Sequence, residues 1–139
     1  MPELFEFVPG RIYNRREDLH DRFGGQQQGG IITPSRHDVV FIITGDGGAA
    51  YGYNDRIRPD GVMEYYGEGQ RGDMQLVRGN LAISQHLADE KSLLLFEKEA
   101  EGLRFVGAKR YAGHRVERGQ DVEGNMRDVI VFLLEEDQD

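Results

Sequence analysis

The sequence contains no cysteine. Disulfide bridges, thiolate zinc sites and thiol nucleophiles are excluded with it, and a chain built this way suits a reducing cytoplasm, its expected location. Long apolar runs are missing too. Nothing approaches the roughly 18 consecutive apolar residues of a membrane span, so no membrane partner is expected. The acidic start PELFEFVPG has neither the basic region nor the apolar stretch of a secretory leader. The four histidines, His20, His37, His86 and His114, form no HxH or HExxH pair, and no metal site is expected. Serine occurs only as Ser35, Ser84 and Ser92, none in a GxSxG elbow, which leaves acyl chemistry without a nucleophile. Neither GDGG nor GEGQRG supplies the GxxxxGK(S/T) phosphate loop, and no GxGxxG opens a helix after a strand. No cofactor is expected.

What remains is a chain of 139 residues, 38% hydrophobic and 9% aromatic, the size of one globular domain. A single domain spanning residues 1–139 is therefore expected. The acidic tail EEDQD after Leu134 has the character of a boundary from which a longer protein continues. The net charge is −8, with 25 acidic against 17 basic side chains, which by itself disfavours a phosphate-bearing partner. The distribution is less hostile: Arg11 to Arg36 carries five arginines against Glu17, Asp18 and Asp21, so the first quarter is locally basic. The same charges also fit a solvated surface.

The 19 glycines cluster between short apolar runs, the punctuation of a β-rich domain with tight turns. Strands are expected at Leu4 to Val8, Val39 to Thr44, Ala49 to Tyr53, Val62 to Tyr66, Leu93 to Glu97, Leu103 to Val116 and Val129 to Leu134. VVFIIT, apolar on both faces, reads as a central strand. Two helices are expected. NRREDLHDRF has Asn14 as N-cap, Glu17 in capping-box position and Leu19 and Phe23 on one edge, and it stops at Gly24 and Gly25. The second starts near Asp73 and carries Met74, Val77, Leu81 and Leu87, with Gly79 and Asn80 weakening its middle. These pieces assemble most simply into an α+β domain with a strongly curved, barrel-like mixed sheet and two short flanking helices.

Asp55, Asp60, Glu64 and Glu68 could supply acid/base pairs, though so many acids make such pairs common. Tyr51, Tyr53, Tyr65 and Tyr66 flank a short polar connection, so two neighbouring strands could each offer a ring to one space. Two parallel rings would hold a planar heterocycle; equally, alternate tyrosines could point into the core or stiffen a hairpin.

The succession YNRREDLHDRF, QQGGI, the apolar strand with TGDGG, YGYND, EYYGEGQ and RGNLAI resembles the SRA (SET and RING-associated) domain. It is most similar to the ScoMcrA-like SRA modules of bacterial modification-dependent (type IV) restriction endonucleases, over roughly Gly10 to Ala88. The resemblance implies a PUA-like fold and a base-flipping reader of double-stranded DNA that holds a modified cytosine between two aromatic rings. It places the stacking rings at Tyr53 and Tyr65 and the acceptor for the cytosine amino group at Asp55. Arg56 stands where the family has a second acid, and Tyr66 replaces a threonine as a bulkier member of the base-binding pocket. It also implies that Gln28, ahead of Gly29, Gly30 and Ile31, enters the gap left by the flipped base, with glycine letting backbone approach DNA closely. Gln26 and Gln27 would solvate that loop. A second loop, GQRGDM, is much shorter than in the family and offers Arg71; Arg15, Arg16 and Arg36 would meet the DNA backbone. Asn80 and Ala82 match a helix that supports the pocket.

The expected function is a non-catalytic module that recognises a C5-modified cytosine, 5-methyl- or 5-hydroxymethylcytosine, and targets an attached nuclease domain. No HNH-like array follows residue 110. The alternatives are a small enzyme acting on a nucleotide or related heterocycle, with Asp55 or Glu64 as acid or base, and a barrel that binds a protein partner.

Overall fold

Val39–Thr44 (β3) alternates its side chains between two separate cores. Val40 and Ile42 face one cluster with Leu93, Leu95, Tyr65, Ile83 and Phe132, while Val39 and Phe41 face another with Leu94, Phe96, Phe105 and Leu19. Its parallel partner Ser92–Glu99 (β6) alternates in the same way. Two adjacent parallel strands covered on both faces need a continuous apolar run, and VVFIIT and SLLLF supply it. This is the centre of the computed structural model, which describes residues 5–27, 29–45 and 55–137.

Around that pair the other strands form one mixed sheet. Ile12–Tyr13 is β1, Ile31–Ile32 β2, Arg56–Ile57 β4, Met63–Tyr66 β5, Gly102–Gln120 β7 and Met126–Glu136 β8. The order is β2-β3-β6-β7-β8-β5-β4, with β1 added on β7. All pairings except β3–β6 are antiparallel. The long β7–β8 hairpin breaks register between Tyr111 and Gly113, and β6–β7 does so between Leu95 and Phe96. Such breaks bend a sheet. Yet no backbone ladder joins β2 to β4 among the described residues, so the sheet is curved and open rather than barrel-like.

Other expectations shift for identifiable reasons. Phe5–Val8 is not a strand: Phe7 packs edge-on against Phe96 and Tyr13, with ring centroids 5.2 and 4.9 Å away, so its apolarity serves the core. Leu4 and the expected strand Ala49 to Tyr53 lie outside the described residues. VVFIIT lies second from one end of the sheet, buried because both of its faces are covered. The strands β1, β2 and β4, each two residues long, carry too little pattern to be expected. The acidic tail begins inside β8, where Glu135 pairs with Arg110 at 3.2 Å.

The first helix is wound as a π-helix over Arg15–His20 before one α-turn, Asp21–Phe23 (α1). Asn14 caps it, accepting from the Glu17 amide at 2.9 Å, but Asp18 rather than Glu17 accepts from the Asn14 amide, at 2.7 Å. The wider π-turn brings the later carboxylate into reach. Gly24 ends the helix at φ +83° and ψ −144°, a conformation open to glycine because it has no Cβ. The second helix, Arg78–Gln85 (α2), starts later than expected because Asp73 and Met74 are bound to β8. The Met74 amide donates to the Asp128 carbonyl, and the Asp128 amide donates to Asp73 Oδ1. Leu81 and Leu87 are consequently exposed, and the helix buries Gly79, Asn80 and Ile83 instead.

His86 closes the end of α2. It is buried, its Nδ1 donates to the Lys91 carbonyl and its Nε2 accepts from the Tyr111 amide, an arrangement open only to the neutral ring. Burial lowers its pKa from the ordinary value. The unfolded chain therefore binds more protons, so stability is full above about pH 6.5 and falls as pH drops through that value. Urea midpoints measured from pH 7.5 to 5 should decline for the native chain, and His86→Gln should flatten the part of that slope due to this ring.

Candidate functional site

The open side of the curved sheet leads into a cavity of about 880 Å³ between β5, the loop before β2, the segment after β5 and α2. One wall is Tyr65. Its ring belongs to the core, 3% exposed, and its hydroxyl lies 3.0 Å from the Ile43 carbonyl and 3.2 Å from that of Gly30. Side-chain alternation puts Tyr66 on the other face of β5 together with Glu64. The Tyr66 hydroxyl donates to Glu117 on β7, and burial with this carboxylate raises its pKa to about 12. Toward the cavity Tyr66 contributes its amide, which donates to Asp55 Oδ1 at 2.8 Å. Thr44 donates to the other oxygen of Asp55 at 2.7 Å. Asp55 is thus fixed at the cavity wall; burial raises its pKa, opposed by these two donors.

Gly29 and Gly30 line the cavity as well, on a loop braced at both ends. Gln26 accepts from the Thr33 amide at 2.9 Å and donates to the Thr33 hydroxyl at 3.1 Å, so it ties the loop down rather than merely solvating it. Arg15 donates through Nη2 to the Gly29 carbonyl at 2.8 Å and through Nε to His20 at 3.0 Å. Arg15 lies at the cavity rim; Arg16 and Arg36 are exposed and make no ion pair among the described residues. Arg71 is exposed and 3.5 Å from Glu123, a pairing of the solvated kind that contributes little. Tyr53 and Gln28 lie outside the described residues.

Glu64 does not face the cavity. Arg115 and Arg56 each hold one of its oxygens at 2.8 Å, and these contacts lower its pKa to about 2. A carboxylate held ionised on the far face cannot act as acid or base toward a ligand beside Tyr65, which removes it from the enzymatic alternative. Arg56 is equally turned away, being engaged with Glu64.

Two residues of the site, Glu68 and Arg127, carry roles that sequence reasoning missed, and a third, Asn80, was expected only as part of a supporting helix. Glu68 lines the cavity, and its Oε2 accepts from the Gly79 amide at 3.0 Å, capping α2 from a distant segment. Its carboxyl is raised in pKa by burial. Asn80, buried, accepts from the Glu68 amide and donates to the carbonyls of Glu68 and Gln75, tying that segment to the helix. Arg127, wholly buried, donates to the carbonyls of Gly69 and Gly72 at 2.6 and 3.2 Å and so shapes the loop bearing Arg71. RGNLAI points to Asn80 but not to its partners, which lie on the segment before the helix. An arginine in MRDVIVF reads as solvent-facing, and no local signal marks Arg127.

Residues 9–137 match the family model described as ScoMcrA-like, SRA domain. The chain is an SRA domain of the ScoMcrA-like family. No curated protein matches it. Among solved structures, the sulfur binding domain and SRA domain of ScoMcrA complexed with phosphorothioated DNA aligns with a TM-score of 0.72 at 22% identity, covering 93% of this SRA domain and 39% of that chain. The SUVH5 SRA domain in a hemi-methylated CG DNA complex gives 0.73 at 21% identity, over 100% and 94% of the two chains. The same domain bound to fully hydroxymethylated CG DNA gives 0.71 at 20%, over 100% and 95%. These likenesses establish the SRA fold. Against the whole type IV phosphorothioation-dependent restriction endonuclease ScoMcrA, this SRA domain covers 24% of the chain.

Two substitutions test the site's construction. Tyr65→Phe, which keeps the ring and deletes the bridge to Gly30 and Ile43, should cost about 1 kcal/mol by denaturant titration. Gly79→Ala should cost about 1–3 kcal/mol, since a Cβ there would lie 2.6 Å from Glu68 Oε2 and 2.8 Å from Ile31 Cγ2.

Proposed function

We propose that this SRA domain binds double-stranded DNA and reads a modified base, a C5-modified cytosine such as 5-methyl- or 5-hydroxymethylcytosine, flipped into the cavity beside Tyr65. The observation that carries this reading is the placement of a fixed carboxylate, Asp55, and an aromatic wall, Tyr65, on one cavity of ligand size. A carboxylate suits the cytosine N4 amino donor, and an aromatic face suits any flipped base. SRA domains of the same fold solved with methylated and hydroxymethylated DNA support it. Tyr53 is the proposed second ring.

Flipping costs a few kcal/mol of unstacking and unpairing. Stacking at roughly 1–3 kcal/mol per face, with hydrogen bonds to Asp55, offsets it. Gln28, between the braced ends of its loop, is proposed to fill the vacated place in the duplex with Gly29 and Gly30 beside it. Arg15, Arg16, Arg36 and Arg71 are the proposed phosphate contacts, which would make affinity fall steeply with salt. The domain itself is proposed to be non-catalytic and to direct a nuclease carried elsewhere in a longer protein.

Low-salt anisotropy titrations against matched duplexes, unmodified or carrying one 5-methyl- or 5-hydroxymethylcytosine, test the reading. A modified duplex should bind at least about tenfold more tightly, and Tyr53→Ala or Asp55→Asn should remove most of that margin. Tyr65→Phe, which keeps the ring, should retain it. Equal binding to all duplexes, or discrimination that survives both Tyr53→Ala and Asp55→Asn, would sink the proposal.

A further inference from the structure

The loop proposed to enter the duplex leaves the first helix at Gly24 and returns toward β2 at Gly29, and a relay of three hydrogen bonds links those two glycines. His20 Nδ1 lies 3.2 Å from the Gly24 carbonyl, at the start of the loop. Its Nε2 lies 3.0 Å from Arg15 Nε, and Arg15 Nη2 donates to the Gly29 carbonyl at 2.8 Å. A guanidinium can only donate, so Nε2 accepts and the ring carries its proton on Nδ1, facing Gly24. The π-turn makes this relay possible. Residues five apart in an α-helix point about 140° away from each other, whereas the i→i+5 bonds of a π-helix bring them onto one face. Arg15 and His20 are the first and last residues of that turn. His20 is buried and Arg15 half-buried, while Arg16 beside it is exposed. Two guanidinium nitrogens of Arg15 are thus engaged within the protein, and among the described residues only Nη1 is left for a phosphate. The loop needs such an external hold. Gly24, Gly25 and Gly29 have φ of +83°, +85° and +87°, and glycine loses more backbone freedom on ordering than any other residue.

We infer that Arg15 and His20 are positioning residues for DNA recognition: together they clamp the two ends of the glycine loop at a fixed span, and Arg15 acts through this bridge more than through its charge. The inference rests on the base-reading function proposed above. A loop clamped in the free protein is ordered on folding and not on binding, so the duplex meets it already shaped. Each link with Arg15 as donor involves a charged group, the stronger class of hydrogen bond, and the burial of His20 keeps water from competing for it.

The test uses variants of the full chain in anisotropy titrations at several salt concentrations, against duplexes that are unmodified or carry one 5-methyl- or 5-hydroxymethylcytosine. Arg15→Lys keeps the charge, and lysine serves a phosphate as a point charge, but it cannot bridge His20 and Gly29. It should weaken the preferred duplex about tenfold, the effect of one hydrogen bond to a charged group, with the slope of log affinity against log salt unchanged. His20→Leu should match it, and the double variant should lose no more than either single one. His20→Gln, whose amide oxygen can accept from Arg15, should recover most of the affinity. Should His20→Leu fail to fold, Arg15→Lys and His20→Gln decide. If Arg15→Lys lowers the urea midpoint yet binds as the native chain does, the bridge is merely structural and the inference is overturned, with base reading intact. Additive losses in the double variant overturn it too, because they mark two independent contacts. Equal binding of the native chain to all three duplexes overturns both readings.

Discussion

The two ends of the sheet meet through a side chain. Tyr65 stands on β5, one strand from one end, and its hydroxyl reaches the carbonyls of Ile43 on β3 and Gly30 before β2, at the other end. The Gly30 carbonyl also accepts from the Ile43 amide at 2.7 Å, so three segments converge there. Glycine is required by the crowding: a Cβ on Gly30 would lie 3.2 Å from both the Ile43 carbonyl and the Tyr65 hydroxyl. Because the seam is closed by a phenol and not by a backbone ladder, space remains beside it. That space is the cavity, and the loop bearing Gly29 and Gly30 forms its edge.

Burial divides the carboxylates by role. On the outer face of β5, Glu64 is neutralised by Arg56 and Arg115, and Arg115 continues to Glu117, which accepts from Tyr66. This chain of charges anchors the strand and faces away from the ligand space. On the inner side, Asp55 and Glu68 are held by uncharged donors, an amide and a hydroxyl for one and an amide for the other. A carboxylate held this way keeps lone pairs for a ligand. The ion-paired acid therefore stabilises the strand, while the acids held by uncharged donors line the cavity where recognition is proposed.

Much of the fold was legible because its strongest signals are local. VVFIIT, the Asn14 cap and the Gly24 stop each depend on neighbours within a few residues, and each is found where expected. Phe5–Val8 misled because apolarity reports burial, and burial does not require strand pairing. The second helix misled because Met74 has helical spacing with Val77 and Leu81 but spends its amide on Asp128 of β8, a partner remote in sequence. The two-residue strands are held by their partners' length, so they carry no pattern of their own.

The same distinction separates the site's parts. By itself the sequence determined the family, through ordered motifs from YNRREDLHDRF to RGNLAI, and nominated Asp55, Tyr65 and the glycine loop, which line one cavity, since residue type and spacing are written along the chain. Only the tertiary structure decided which face each side chain meets: that Tyr66 turns from the cavity while its amide holds Asp55, that Glu64 is locked between two arginines, that Glu68 caps α2 and that Arg127 lies buried under the Gly69–Gly72 turn. These outcomes depend on contacts between segments eight to 58 positions apart. Sheet curvature and the cost of leaving a buried polar group unpaired select such contacts, and neither is expressed in any short window of sequence.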